Sequence, residues 1–378
     1  MKDELNAFLY CDERARGGDG LLAGMTIGVK ANIAVEGMPF HAGIGAWEDR
    51  VAERDAEAVH FLRDAGAVIV GILNMEEAAL GSKTDNPHFG PTQNPHRAGY
   101  SPGGSSGGSA AAVSAGLCDV ALGTDTMGSI RIPAAHCGIY GFKPATDHVS
   151  QVGLIPADPL LDAIGPLARN LDDLEGVARI MSRFGEADPA GSGATLVEHG
   201  VELHPDVEAA FARALDALDH PVHRALPYQL SRVRFAGFIG VSKVLARDLA
   251  GIEVSDRLAK LLTYGPKRSG GDWAEDQEVL SQTRALIRDI VRDNGFLVIP
   301  TAPNPPFPHT EMEPAAQADF TCLANIAGLP AISIPAGWTQ DDLPIGVQII
   351  GSPDAEAGLF RLARHLDAKL GAYRAPQA

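Results

Sequence analysis

The stretch Gly99–Arg131 reads GYSPGGSSGGSAAAVSAGLCDVALGTDTMGSIR, and it decides the fold. By composition alone GGSSGGS is linker-like. A linker is normally flanked by polar sequence, whereas this one runs straight into Ala110-Ala111-Ala112-Val113 and then CDVALGT (118–124). The first run, SAAAVSAG (109–116), suits a small-residue helix, and the second a buried strand. Glycines at 103, 104, 107 and 108 beside a core helix point to close backbone approach. The expected local order is loop, buried helix, buried strand.

The alternation continues on both sides. MTIGV (25–29) reads as a strand and DAEAVHFLRDAG (55–66) as a helix, with Asp55 as N-cap and Val59, Leu62 and Ala65 on one face. AVIVGI (67–72) reads as a buried strand and NMEEAAL (74–80) as a short helix. Downstream, helices are expected over 171–184 behind an Asn170 cap, over 274–295 and over 354–371. Strands are expected at 296–300, 331–337 and 344–351, the last two joined by a turn. Alternating elements of this kind imply an α/β fold: a large twisted sheet, mixed or mostly parallel, with helices on both faces. Residues 185–275 show scattered helices and no chemical motif. No stretch reads as a linker, so 1–378 is expected to form one large domain. Its parts are a core over about 22–184, a variable segment over about 185–290 and a C-terminal core over 291–370.

Composition removes several classes of function. The 378 residues are 45% hydrophobic and 21% charged, with 31 Lys plus Arg against 48 Asp plus Glu, a net charge of −17. So much apolar side chain excludes a disordered chain. The negative balance argues against nucleic-acid and anionic-membrane partners, which need clustered cations. Cys11, Cys118, Cys137 and Cys322 form no CxxC pair, and the 12 histidines contain no HExxH. The cysteines are expected to be reduced and buried, and no metal or cofactor is called for. No run of 18 apolar residues occurs. MKDELNAFLYCDERARGG at the start has acids at positions 3 and 4 and no apolar core, so a cytoplasmic protein is expected.

Two motif matches fail on context. Gly103–Gly107 and the window one residue later fit G-x-S-x-G, but a nucleophile elbow needs a preceding strand and NPHRAGYSP (94–102) is not one. The loop also lacks the G-K-[ST] ending of a phosphate-binding loop. What remains is a serine-rich glycine loop followed, 24 residues after Ser105, by Gly128-Ser129-Ile130-Arg131, with Gly28-Val29-Lys30 upstream. Flanking blocks are GVKANIAVEGMPFHAG (28–43), LRDAGAVIVGILNMEEAALG (62–81), NPHFGPTQNPHRAGYSPGGSSGG (86–108), LGTDTMGSIRIPAAHCGIYGFKP (122–144), LDAIGPLARNLDD (161–173) and LANIAGLPAISIPAG with LPIGVQIIG (323–351). This pattern resembles the amidase signature family over roughly 22–184 and 296–370.

The resemblance implies hydrolysis of an amide C–N bond through an acyl-enzyme, with Ser129 as nucleophile, Ser105 as bridging serine and Lys30 as base. The residue chemistry is compatible. A lysine at its ordinary pKa near 10.4 is protonated, burial lowers that pKa, and Lys30 ends the apolar run MTIGVK. The resemblance further implies a cis peptide at Gly104–Ser105, a hydrogen bond from Ser106 to the lysine, and an Asp125–Arg131 ion pair bracing the loop. It also implies an oxyanion hole made by the backbone N–H groups of Thr126, Met127, Gly128 and Ser129. This chain departs from the family at Met127, where glycine is usual, and at Ala31, where aspartate is usual. Only 29 residues precede Lys30, fewer than the family's usual helical N-terminal segment. Leu80, Tyr100, Met127, Ile155 and Leu160 are the apolar residues expected to wall the pocket. The expected activity is that of a stand-alone amidase on a small-molecule amide, with a homodimer left open. The alternatives are the catalytic subunit of a tRNA-dependent amidotransferase, which works with partner subunits, or a ureide- or biuret-type hydrolase.

Overall fold

The computed structural model describes residues 3–189 and 191–377. Its main feature is an 11-stranded sheet. The order runs Phe8–Cys11, Val68–Leu73, Thr26–Lys30, Val120–Asp125, Ala163–Ala168, Tyr140–Lys143, Ala331–Trp338, Pro344–Ile350, Leu297–Pro300, Ala194–Leu196, Val222–Arg224. The mixed sheet is as expected, but it is not mostly parallel. Thr26–Lys30 is parallel to both strands beside it, and the last two strands at the far edge also pair in parallel. Every pairing between Val120–Asp125 and Leu297–Pro300 is antiparallel, as is the Phe8–Cys11 edge. The hairpin Ala331–Trp338 and Pro344–Ile350 is the one expected from sequence.

Side chains alternate across the strands, so each strand feeds two cores. Leu122 joins the cluster under helices Glu57–Asp64, Leu171–Met181 and Glu356–Leu370. Its neighbour Ala121 joins the cluster formed with helices Gly107–Ser114 and Arg131–His136. Helix Gly107–Ser114 is buried at every residue. Its small side chains let it lie against the sheet: a Cβ on Gly108 would stand 2.4 Å from the Asn74 carbonyl oxygen.

Several local expectations are corrected. Residues 74–80 form one 3-10 turn at Glu77–Ala79 rather than a helix, with Ala78 at φ 52° and Ala79 at φ 58°. The chain is held open there because Glu76 N–H donates to the Ser105 carbonyl (3.1 Å) and Ala78 N–H to the Ala42 carbonyl (2.9 Å). Asp55 does not cap helix Glu57–Asp64; its carboxylate instead takes Glu36 N–H at 2.8 Å and pairs with Arg63 at 2.8 Å. Asn170 does cap its helix, accepting from Asp173 N–H. The long helix starts earlier than 274, at Gly270, because Ser269 caps it through Asp272 N–H. Within 185–275 lie helices Pro205–Ala217, Leu230–Asp248, Asp256–Leu262 and Tyr264–Lys267, and the two outermost strands of the sheet. Among the described residues no helix is long and apolar enough to cross a membrane.

Candidate active site

Lys30 is the last residue of a central strand and is fully buried. Its Nζ lies 2.8 Å from Ser105 Oγ, 2.8 Å from Ser106 Oγ and 2.7 Å from Thr124 Oγ1. Burial pulls the Lys30 pKa down to about 7, against the opposing pull of Asp162, Asp125 and Glu76. Three hydroxyls suit both protonation states. An ammonium donates three hydrogen bonds, whereas a neutral amine donates two and offers one lone pair.

The two serines are held differently. The Gly104–Ser105 peptide is cis, and the Ser105 carbonyl accepts from Glu76 N–H. Glu76 is buried and its Oε1 also accepts Lys83 N–H (3.1 Å) and Thr84 N–H (2.8 Å), which locks the 83–84 turn against the glycine loop. Ser106 Oγ donates to the Thr124 carbonyl at 3.2 Å, so its hydrogen is committed away from Lys30. The Ser105 hydroxyl hydrogen has no such second partner among the described residues.

Ser129 sits on the loop after strand Val120–Asp125. It is half-buried, while Ser105 and Ser106 are wholly enclosed. Its carbonyl accepts Ser106 N–H at 3.2 Å. The loop is braced by Asp125, whose carboxylate takes Gly128 N–H (2.7 Å), Ile130 N–H (3.2 Å) and both Arg131 Nε (3.0 Å) and Nη2 (2.9 Å). Burial alone would raise the Asp125 pKa, but the Arg131 charge overcomes it and holds the carboxyl down at about 2. Arg131 continues to Gln348 Oε1 (2.6 Å) and Asn325 Oδ1 (2.7 Å). It is therefore a buried brace rather than a group facing a ligand.

One expected oxyanion donor is corrected. Gly128 N–H is spent on Asp125 Oδ1, so the N–H groups left unpaired among the described residues are those of Thr126, Met127 and Ser129. The Met127 carbonyl accepts from Thr321 Oγ1 at 2.7 Å, which sets the turn. The Met127 side chain leaves the loop to pack toward helix Leu230–Asp248, 3.1 Å from where a Gly237 Cβ would stand.

The expected pocket residues scatter. Ile155 stays beside the site: its N–H donates to the Asn32 carbonyl (2.9 Å), and it lines an apolar cavity of about 60 Å³ with Ala42, Ile44, Trp47 and Leu249. Met127 is also adjacent. Leu80 packs into the main core. Tyr100 lies under the Arg97 guanidinium and pairs with Pro308. Leu160 is 78% exposed.

Sequence reasoning missed Thr124, Asn32, Glu76 and Asp162. Asp162 is buried, takes the Thr126 hydroxyl at 2.5 Å, and has its pKa raised to about 6, chiefly by burial. A charged residue inside the otherwise apolar run LLDAIGPLA (160–168) was the available signal. Among the described residues no group of three His, Cys, Asp or Glu side chains could hold a metal ion.

The family model for amidases matches residues 4–239 and 262–360. The chain belongs to the amidase signature family. It is 33% identical to a glutamyl-tRNA(Gln) amidotransferase subunit of Methanosarcina barkeri over 433 aligned positions, covering 96% of this chain and 90% of that one. The corresponding amidotransferase subunit of Thermotoga maritima superposes with a TM-score of 0.88 at 28% identity, covering 99% and 90% of the two chains. A protein from a vestigial complex linked to the origins of an s-triazine catabolic enzyme matches with TM-score 0.88 at 27% identity, covering 99% and 93%. As an amidase signature enzyme, this protein acts on amide C–N bonds.

Proposed function

We propose that the protein hydrolyses a small primary amide to a carboxylate and ammonia, with Ser129 as nucleophile, Ser105 as proton bridge and Lys30 as base. The observation that carries this reading is the buried Lys30 amine, near neutrality at about pH 7, held against Ser105. Ser105 is preferred to Ser106 as the bridge, because the Ser106 hydrogen goes to the Thr124 carbonyl. The Ser129 Oγ–H proton passes to Ser105 while Ser105 gives its own to neutral Lys30. The serine oxygen bonds to the amide carbon, and the developing oxyanion meets the unpaired N–H groups of Thr126, Met127 and Ser129. The C–N bond then breaks, with the Lys30 proton returning through Ser105 to the leaving nitrogen. Water cleaves the resulting ester by the same relay.

The test is ammonia release from a panel of small amides, ureides and arylamides. Wild-type protein should release ammonia from at least one of them, and folded Ser129→Ala should not. Wild-type-like turnover by Ser129→Ala would refute the assignment.

A second reading, the catalytic subunit of an amidotransferase, is favoured by the relatives that carry that name. It predicts glutamine-specific ammonia release that rises when partner subunits are added. Release from simple amides by the purified chain, with no response to added subunits, selects the first reading.

A further inference from the structure

Helix Leu230–Asp248 packs beside the loop that carries Ser129. A Cβ on Gly237 would stand 3.1 Å from Met127 Cε, and one on Gly240 would stand 3.7 Å from Asp158 Oδ2 and 3.6 Å from Trp273 Cη2. The two glycines are three residues apart, roughly 4.5 Å along a helix axis. The Asp158 carboxylate thus stands beside Met127 along one face of this helix. A second tie runs through the backbone: Asp158 N–H donates to Asp162 Oδ2 at 3.3 Å, and Asp162 Oδ1 takes the Thr126 hydroxyl.

Asp158 is only 6% exposed. Its Oδ1 takes Leu160 N–H at 3.0 Å. Among the described residues nothing donates to Oδ2, the oxygen turned toward Gly240. Burial pushes the carboxyl above its ordinary value, offset in part by Arg247. The nearby cations are engaged elsewhere. The Arg247 guanidinium is largely exposed and bonds Asp248 at 2.7 Å, and Lys243 lies on the Trp273 ring at 5.3 Å and reaches the Gly265 carbonyl. Unlike the fully enclosed polar atoms that lack a partner, Asp158 Oδ2 keeps some contact with solvent, so a donor can reach it from outside.

We propose that Asp158 reads the substrate: its Oδ2 accepts from a primary ammonium carried a few atoms beyond the scissile carbonyl, bounded by the edge of Trp273. This rests on the amide-hydrolase reading and names its substrate class, the short ω-amino carboxamides. The same carboxylate repels amides that end in a carboxylate.

The experiment compares 4-aminobutanamide with its neutral isostere pentanamide and the anionic succinamate. Binding is measured by calorimetry on Ser129→Ala protein, and turnover by ammonia release from wild type. The amino amide should bind and turn over about 10- to 100-fold better than pentanamide, the range for a hydrogen bond to a charged group. Succinamate should be the poorest of the three. Asp158→Asn should bring the ratio of amino amide to pentanamide close to one, mainly through KM. Equal binding of the amino amide and pentanamide to the Ser129→Ala protein overturns the proposal, whatever the fold of Asp158→Asn. A binding preference without ammonia release from any amide would instead sink the hydrolase reading.

Discussion

Two lysines in this molecule share a buried setting and diverge in everything else. Lys30 and Lys143 each end a strand, each is fully buried, and each has its pKa drawn down to about 7, chiefly by burial. For Lys143 the neighbouring Arg131 charge adds to the effect. Around Lys30 stand three hydroxyls, and among the described residues the hydrogens of Ser105 and Thr124 have no acceptor while that of Ser106 goes to the Thr124 carbonyl. Around Lys143 the bonded partner is the carbonyl of Pro144 at 2.7 Å, which accepts a hydrogen bond but has no proton to give. A perturbed pKa marks candidates for catalysis, and structural lysines share the mark. In the mechanism proposed above, the hydroxyls around Lys30 are what separate it, as base, from Lys143. Asp125 ties the two regions together, since its charge opposes the fall of both lysines.

The sharpest way to break the comparison is Lys30→Met. On the proposed mechanism, removing the Lys30 amine should lower kcat/KM by about 100- to 10,000-fold. The sign of the pH dependence follows from the active form. A neutral amine is required, so wild-type kcat/KM should rise as pH increases through about 7. In Lys30→Met that limb should disappear from the residual rate. A limb that persists would assign it to another group.

Asp125→Ala attacks the link between the regions. Arg131 would keep its amide partners Gln348 and Asn325 but lose its buried counter-charge. Breaking one side of a buried ion pair typically costs about 3–5 kcal/mol. Denaturant midpoints should show that loss, and the loop would also lose the acceptor for Gly128 and Ile130 N–H. An unchanged midpoint would mean that the loop is braced from elsewhere.

Ser106→Ala sharpens the distinction among the Lys30 hydroxyls. It removes one partner and leaves Ser105 in place, so kcat should fall by about tenfold, the scale of one hydrogen bond. Ser105→Ala should fall much further. Equal losses from the two would contradict the assignment of the bridge.

How much of this was legible beforehand depended on range along the chain. The strand ending in Lys30, the small-residue helix after the glycine loop, and the Asn170 cap all rest on local pattern, and the structure keeps them. The 74–80 segment has helical composition, yet Glu76 and Ala78 bond to Ser105 and Ala42, residues distant in sequence, and those bonds win. The edge strands Ala194–Leu196 and Val222–Arg224 are three residues each, too short for a period to register. The pocket was the least legible part. Leu160 reads as an apolar wall but points to solvent, while Asp158 two residues earlier turns inward toward Gly240. Which of two neighbours turns inward is set by the helix packed opposite, and that helix comes from the segment without a motif.

The smallest expected effect on catalysis, and the most direct test of the comparison, is Lys143→Met. Methionine nearly matches the lysine stem in length and removes only the amine and its bond to Pro144. Because no hydroxyl relay passes through Lys143, kcat/KM should stay within a few-fold of wild type, and the acid limb near pH 7 should remain. Stability should respond instead. A lysine with a depressed folded pKa binds fewer protons folded than unfolded between about pH 7 and its unfolded pKa near 10.4, so it makes stability rise with pH across that window. Each such lysine contributes up to about 1.4 kcal/mol per pH unit. Lys143→Met should therefore remove one share of the slope between about pH 7 and 8.5, leaving the share from Lys30. Urea midpoints measured at several pH values would show it. A lost acid limb in kcat/KM, with the stability slope intact, would exchange the roles of the two lysines.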